Sequence, residues 1–167
     1  IFRTATMDAD NGFAYFTTQT SPIKVVKVSL STFTVVATLP LNAGEVNART
    51  SSIDTVNGFL YVFDLSSPCK VVKIRLSDFT RIGVLSLLSS DGQALGSSVI
   101  DVPNGFLYKT GRDATPNTIV TKIRLSDFTR IGSVILAAGI GADLTSGVID
   151  ITNGFAYFGG TVGDGKI

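Results

Sequence analysis

The tripeptide Asn-Gly-Phe occurs four times, at Asn11, Asn57, Asn104 and Asn153, and an aspartate stands three residues before each copy, at Asp8, Asp54, Asp101 and Asp150. The copies lie 46, 47 and 49 residues apart. No other feature constrains the fold as much. A unit of that length cannot bury a core alone, so it must stack on its neighbours and share one with them.

Aligned on Asn-Gly, each copy resolves into four strand-like pieces. The first is small and hydroxyl-rich, at Thr4–Asp8, Thr50–Asp54, Gly96–Asp101 and Thr145–Asp150, and suits a place where backbones approach closely. Asn-Gly is then expected to supply the positive-φ residues of a tight hairpin turn. The second piece is aromatic: Phe13–Phe16, Phe59–Phe63, Phe106–Tyr108 and Phe155–Phe158. Its Phe and Tyr stand two apart in every copy and so share a face.

A polar loop with Pro22, Pro68 or Pro116 leads to the third piece, at Lys24–Leu30, Lys70–Leu76 and Ile119–Leu125. The turn Ser77–Thr80 (Ser-Asp-Phe-Thr) recurs at Ser126–Thr129 and, with Thr32 for the aspartate, at Ser31–Thr34. A fourth piece follows at Val35–Leu41, Arg81–Leu88 and Arg130–Ala137. Length differences between copies fall beside Pro116 and in the connectors to the next repeat, where insertions cost little. No stretch keeps a helical period. The expectation is an all-β, propeller-type repeat of four-stranded antiparallel blades in one domain. The repeats run approximately over 4–49, 50–95 and 96–144, with a partial repeat at 145–167, or about three and a half blades.

The residues Asp-x-x-Asn-Gly-Phe-x-Tyr and Lys-Val-Val-Lys-Ile-Arg-Leu-Ser-Asp-Phe-Thr-Arg resemble the β-propeller repeats of the YVTN/NHL-like group, across essentially the whole chain. The chain departs from the WD and kelch patterns, with no Trp and no Gly-His pair. The resemblance implies that the first strand lines a central axis, that the fourth lies at the rim, and that the aromatic pair fills the layer between neighbouring blades. Propellers typically close with four to eight blades. Three and a half leave open strand edges, so either further blades of a longer chain or other copies of this chain are expected to complete the fold, with the first favoured. The start at Ile1, without Met or leader, reads as a processed or trimmed product.

Composition narrows the function classes. Histidine is absent, so no Ser-His-Asp or Cys-His arrangement can form within the chain. One cysteine, Cys69, excludes an internal disulfide and a cysteine-cluster zinc site. A net charge of +1 gives no electrostatic footprint for nucleic acid. No apolar run approaches the roughly 20 residues that span a bilayer. Sparse sulfur is compatible with an extracellular or cell-surface setting.

Candidate sites each have an ordinary alternative. Lys27, Lys73, Lys122 and Lys166 share one repeat position, and Arg75 and Arg124 follow two residues on. Stacked repeats would align them in a row able to take an anionic glycan or an acidic partner. The preferred alternative has each lysine lay its stem along a neighbouring blade and pair with an aspartate such as Asp64, Asp78 or Asp127. The aspartates Asp8, Asp54, Asp101 and Asp150 could ring a cation, but an Asp before Asn-Gly more often fixes a turn. Glycine pairs at Gly139/Gly141, Gly159/Gly160 and Gly163/Gly165 are too short for a phosphate loop. Cys69 reads as a partly buried thiol without a base. Tyr15, Tyr61, Tyr108 and Tyr157 could stack on sugars, with packing between blades preferred.

No catalytic residue, cofactor or metal ligand is assigned. The functional expectation is a non-enzymatic repeat scaffold for protein–protein interaction or structural assembly, as a ring or fibre subunit. The alternatives are a piece of an enzyme or ligand-binding propeller whose site lies in other blades, and a carbohydrate-binding module.

Overall fold

The computed structural model describes residues 1–112, 117–136 and 144–160. Four antiparallel sheets follow one another along the chain. The first holds β1 (Phe2–Asp8), β2 (Phe13–Thr18), β3 (Lys24–Ser29) and β4 (Thr34–Pro40), and the second holds β5 (Thr50–Asp54), β6 (Phe59–Phe63), β7 (Lys70–Arg75) and β8 (Thr80–Ser86). After a 3-10 turn at Ser89–Asp91, the third holds β9 (Gln93–Asp101), β10 (Phe106–Arg112), β11 (Thr118–Arg124) and β12 (Thr129–Ile135). The fourth is a hairpin of β13 (Leu144–Asp150) and β14 (Phe155–Gly160). Each four-stranded sheet is a simple up-and-down meander. Pro116, Lys166 and the glycines at 139, 141, 163 and 165 lie outside the described residues.

The first strands of successive sheets lie against one another, β1 on β5, β5 on β9 and β9 on β13. Their small side chains permit this approach and join across it. Thr4 bonds Ser51 at 2.6 Å, and Ser98 bonds both Thr50 at 3.0 Å and Ser52 at 2.7 Å. The fourth strands are the most exposed of each sheet, as outermost strands must be. Middle strands are covered on both faces, so β6 reads as a continuous apolar run, and β7 buries the adjacent Val71 and Val72 on opposite faces.

Two apolar cores sit in the seams between sheets. Tyr15, Ile23 and Val25 of the first sheet meet Leu60, Val62, Val72 and Ile74 of the second. Tyr61, Phe63, Cys69 and Val71 then meet Leu107 and Ile123 of the third. Each fully buried aliphatic or aromatic side chain contributes roughly 1.5–3 kcal/mol, so the seams dominate the energetics of stacking.

The Asn-Gly turn differs from the expectation in one respect. Only the glycine has positive φ, at 76°, 74°, 75° and 76° for Gly12, Gly58, Gly105 and Gly154. The connection is four residues long, since Asp8 pairs directly with Phe13. The asparagine keeps an ordinary backbone because its job is to donate. Asn11 Nδ2 reaches Asp8 at 2.9 Å, Asn57 reaches Asp54 at 2.8 Å, Asn104 reaches Asp101 at 2.9 Å, and Asn153 reaches Asp150 at 2.8 Å.

Candidate functional site

The repeated polar residues converge on the seams, at the end of the sheets where the Asn-Gly and Ser-Asp-Phe-Thr turns lie. Strand pairing sets Lys27 opposite Tyr15, Lys73 opposite Tyr61 and Lys122 opposite Tyr108. A register shift follows each lysine, where the third strand pairs with the fourth. The ammonium groups fold onto the neighbouring phenylalanine: Lys27 over Phe13 at 3.8 Å, Lys73 over Phe59 at 3.9 Å, and Lys122 over Phe106 at 3.6 Å. Such contacts are worth about 0.5–2 kcal/mol, more as water is excluded. Burial pulls the Lys73 ammonium below its usual range, partly offset by Asp54.

The lysines are therefore seated on aromatic rings and not on aspartates, which corrects the pairing expected for them. Asp64 instead accepts from Ser66 Oγ at 2.6 Å and the Lys70 N–H at 2.7 Å, fixing its own loop. The arginines do pair: Arg75 with Asp78 at 2.6 Å and Arg124 with Asp127 at 2.5 Å, both exposed. These bonds hold the Asp78 and Asp127 carboxyls well below the usual carboxylate range.

The turn after each third strand carries a feature that sequence reasoning missed. Phe33, Phe79 and Phe128 have φ of 52°, 52° and 54°. That region costs a bulky L residue about 1–2 kcal/mol. Phe79 meets the cost by reaching back to Tyr15 of the preceding blade, with ring centroids 5.9 Å apart, and Phe128 does the same to Tyr61 at 5.8 Å. Phe33 has no preceding blade in the structure and is 87% exposed. An aromatic at positive φ has no local sequence signal, because the compensating contact comes from another repeat.

Behind each plug, an arginine of the fourth strand reaches to the preceding connector. Arg81 Nε donates to Glu45 at 2.9 Å and Arg130 Nε to Asp91 at 2.6 Å, with both carboxylates buried. Burial alone would raise the Asp91 carboxyl, but the bonds from Arg130 and the Leu88 N–H outweigh it and hold it below the usual range.

Between blades this leaves two equivalent clefts. One of about 370 Å³ is lined by Asp54, Phe59, Tyr61 and Lys73 and closed by Val102, Leu125 and Ser126 of the next blade. The other, about 310 Å³, is lined by Asp8, Phe13, Tyr15 and Lys27, with Leu76 and Ser77 opposite. The Tyr61 hydroxyl is buried there without a hydrogen-bond partner. Burial, then Asp8, pushes the Tyr15 hydroxyl up to about 12, so the phenols remain protonated donors. Tyr15 and Tyr61 are buried and present no face to a sugar, whereas Tyr157 is 47% exposed.

Cys69 is fully buried, and burial pushes its thiol up to about 12 against the opposing pull of Lys109. It is held as a thiol, far from the thiolate a nucleophile needs. Among the described residues no cluster of three His, Cys, Asp or Glu could hold a metal ion. No helix among them is long and apolar enough to cross a membrane.

Solved structures share this architecture. The structure of U3-55K superposes with a TM-score of 0.69 at 10% identity, over 87% of this chain and 42% of that one. The WD40 repeats of RRP9 give 0.70 at 10% identity, over 87% and 41%. The fold is a partial β-propeller. A putative 6-phosphogluconolactonase of Bacteroides fragilis gives 0.63 at 12% identity, over 81% of this chain and 39% of that one. The propeller blades of this chain thus span about two fifths of the length of each of these proteins. No protein-family model matches the sequence, and no curated protein matches it.

Proposed function

We propose that the chain is a non-enzymatic β-propeller scaffold for protein–protein interaction or structural assembly, with blades of the YVTN/NHL-like kind. One observation carries this reading: the recurring aspartates, lysines and arginines at the turn end are held by their own blade. The aspartates cap turns through asparagine, the lysines lie on phenylalanine rings, and Arg75 and Arg124 are paired to aspartates. The exposed pairs also repeat, Arg75 with Asp78 and Arg124 with Asp127, and a repeated surface suits assembly better than a site of unlike residues. An extracellular or cell-surface setting belongs to the same proposal, and labelling of intact cells with an impermeant reagent would read it.

Cross-linking of the purified chain and of its native source, read by mass spectrometry, tests the scaffold. The expected result is a reproducible set of links to other polypeptide segments, centred on blade faces and turn rows. Links confined to neighbouring residues of one chain would overturn it.

A second reading is favoured by the unpartnered Tyr61 hydroxyl in the cleft beside Lys73, and by the likeness to a putative lactonase. It makes the chain part of an enzyme. Hydrolysis of 6-phosphogluconolactone above the uncatalysed rate, abolished by Tyr61→Phe with the fold intact, would establish it in place of the scaffold.

A further inference from the structure

We infer that the aspartate of each Asp-x-x-Asn-Gly turn is a chemical lock, and that the asparagine it holds is a latent isoaspartate site. The inference stands apart from the scaffold reading. Asparagine is a thermolabile residue, and a following glycine leaves its amide least hindered, because the backbone turns freely and no Cβ blocks the approach. The reaction needs only water. The glycine nitrogen gives up its proton and bonds to the side-chain amide carbon, ammonia leaves carrying that proton, and a cyclic imide closes. Water then opens the imide at either carbonyl, giving aspartate or isoaspartate.

Packing does not shield these turns. Asn11, Asn57, Asn104 and Asn153 are all exposed, so water and base reach them. A Cβ added at Gly12, Gly58, Gly105 or Gly154 would meet nothing within 4 Å, so no neighbour confines the glycine either. What restrains each asparagine is one carboxylate, and those of Asp8, Asp54 and Asp101 are buried.

The restraint is twofold. Asn57 donates its backbone N–H to Asp54 Oδ1 at 2.9 Å and its side-chain Nδ2 to Oδ2 at 2.8 Å. Asn11, Asn104 and Asn153 repeat both bonds to Asp8, Asp101 and Asp150. Two donors on one carboxylate fix backbone and amide together. The amide carbon cannot swing onto the glycine nitrogen without breaking a bond to a charged acceptor. The same negative charge opposes the anionic tetrahedral intermediate of the attack. At Gly12, Gly105 and Gly154 the attacking N–H is itself engaged, donating to the carbonyls of Ala9 and Val102 at 3.1 Å and of Asp150 at 2.9 Å. Conversion at Asn57 would set a second carboxylate against Asp54 where a donor stood. Isoaspartate would also lengthen the backbone of a connection that runs only from Thr55 to Gly58.

Peptide mapping that separates aspartate from isoaspartate tests this, on the folded chain at mildly alkaline pH and on the same chain in urea. Each turn of the folded chain should convert roughly tenfold or more slowly than in urea, since a bond to a charged group must be given up before attack. Asp54→Ala should speed conversion at Asn57 alone, and Asp101→Ala at Asn104 alone, each toward the rate in urea. Asp54→Asn, whose amide oxygen still accepts one bond, should fall between. Folded and urea rates that agree would overturn the lock. So would an Asp54→Ala chain in which Asn57 converts no faster. Acceleration at all four turns together, in Asp54→Asn as well as Asp54→Ala, would assign the protection to the fold as a whole and overturn it too. The scaffold reading is decided separately, by the cross-linking result.

Discussion

The seam between the first and second blades and the seam between the second and third are built from one plan, and differ at one end only. At the turn end they match. A lysine lies on a phenylalanine, an asparagine caps an aspartate, and a left-handed phenylalanine from the next blade covers a tyrosine. At the connector end they diverge. The first seam uses Val62 and Ile23 where the second uses Lys109 and Cys69. Lys109 is fully buried, and its ammonium donates to the Asp91 carbonyl at 2.8 Å and the Gly92 carbonyl at 3.0 Å. The repeated motif thus dictates how blades meet at one end, while the connector between them is fitted case by case.

The largest effect should come from the shared end. Phe79→Ala and Phe128→Ala remove partly buried rings from their seams and should each cost about 3 kcal/mol in urea unfolding. Phe33→Ala should cost the monomer almost nothing. Equal losses at all three would break the view that the plug acts through the preceding blade.

The second test separates the connectors. Asp91→Asn leaves Arg130 facing an amide and should cost about 2 kcal/mol, with faster amide exchange confined to the second connector. The carboxyl is held below the ordinary aspartate value of about 3.9, so its contribution is present above that value and is lost as pH falls through the lower, folded one. Acid should therefore loosen this seam below about pH 4, and Asp91→Asn should flatten that limb of the stability profile. An unchanged acid limb would remove Asp91 from the account.

Gly111→Ala probes the same end by close approach. A Cβ there would lie 2.5 Å from the Asp91 carbonyl oxygen and 2.9 Å from that of Gln93, so the second seam should lose about 1–2 kcal/mol while the first is untouched. The smallest expected effect is a gain. Phe33→Gly relieves the left-handed backbone without removing a packed ring, and should stabilise the monomer by about 0.5 kcal/mol. A loss there would mean that Phe33 already has a partner.

Strands and their order were legible because each repeat carries its own punctuation. Asn-Gly, proline and Ser-Asp-Phe-Thr bracket apolar runs of strand length, and the structure places sheets between those marks. The role of the capping aspartates was legible too, because their partner stands three residues away. The lysines were half legible. Their row was visible, but their seat on Phe13, Phe59 and Phe106 depends on the pairing of second and third strands. Counting the register back from the hairpin would have set each lysine beside its aromatic pair. Glu45 with Arg81 and Asp91 with Arg130 were out of reach, since each pair crosses from a connector to the next rim strand and no local rule links them. The left-handed phenylalanines ran against local preference, and only a neighbouring blade makes them sensible.

Those phenylalanines have a consequence for how such a chain can grow. The backbone that aims the ring belongs to the turn of its own repeat, and holds in the first blade, where Phe33 has nothing to rest on. A duplicated repeat would therefore arrive with its joint already shaped, needing no new complementarity to be invented at either side. Lengthening such an array becomes a matter of copying one unit of gene, and diversification can be left to the connectors.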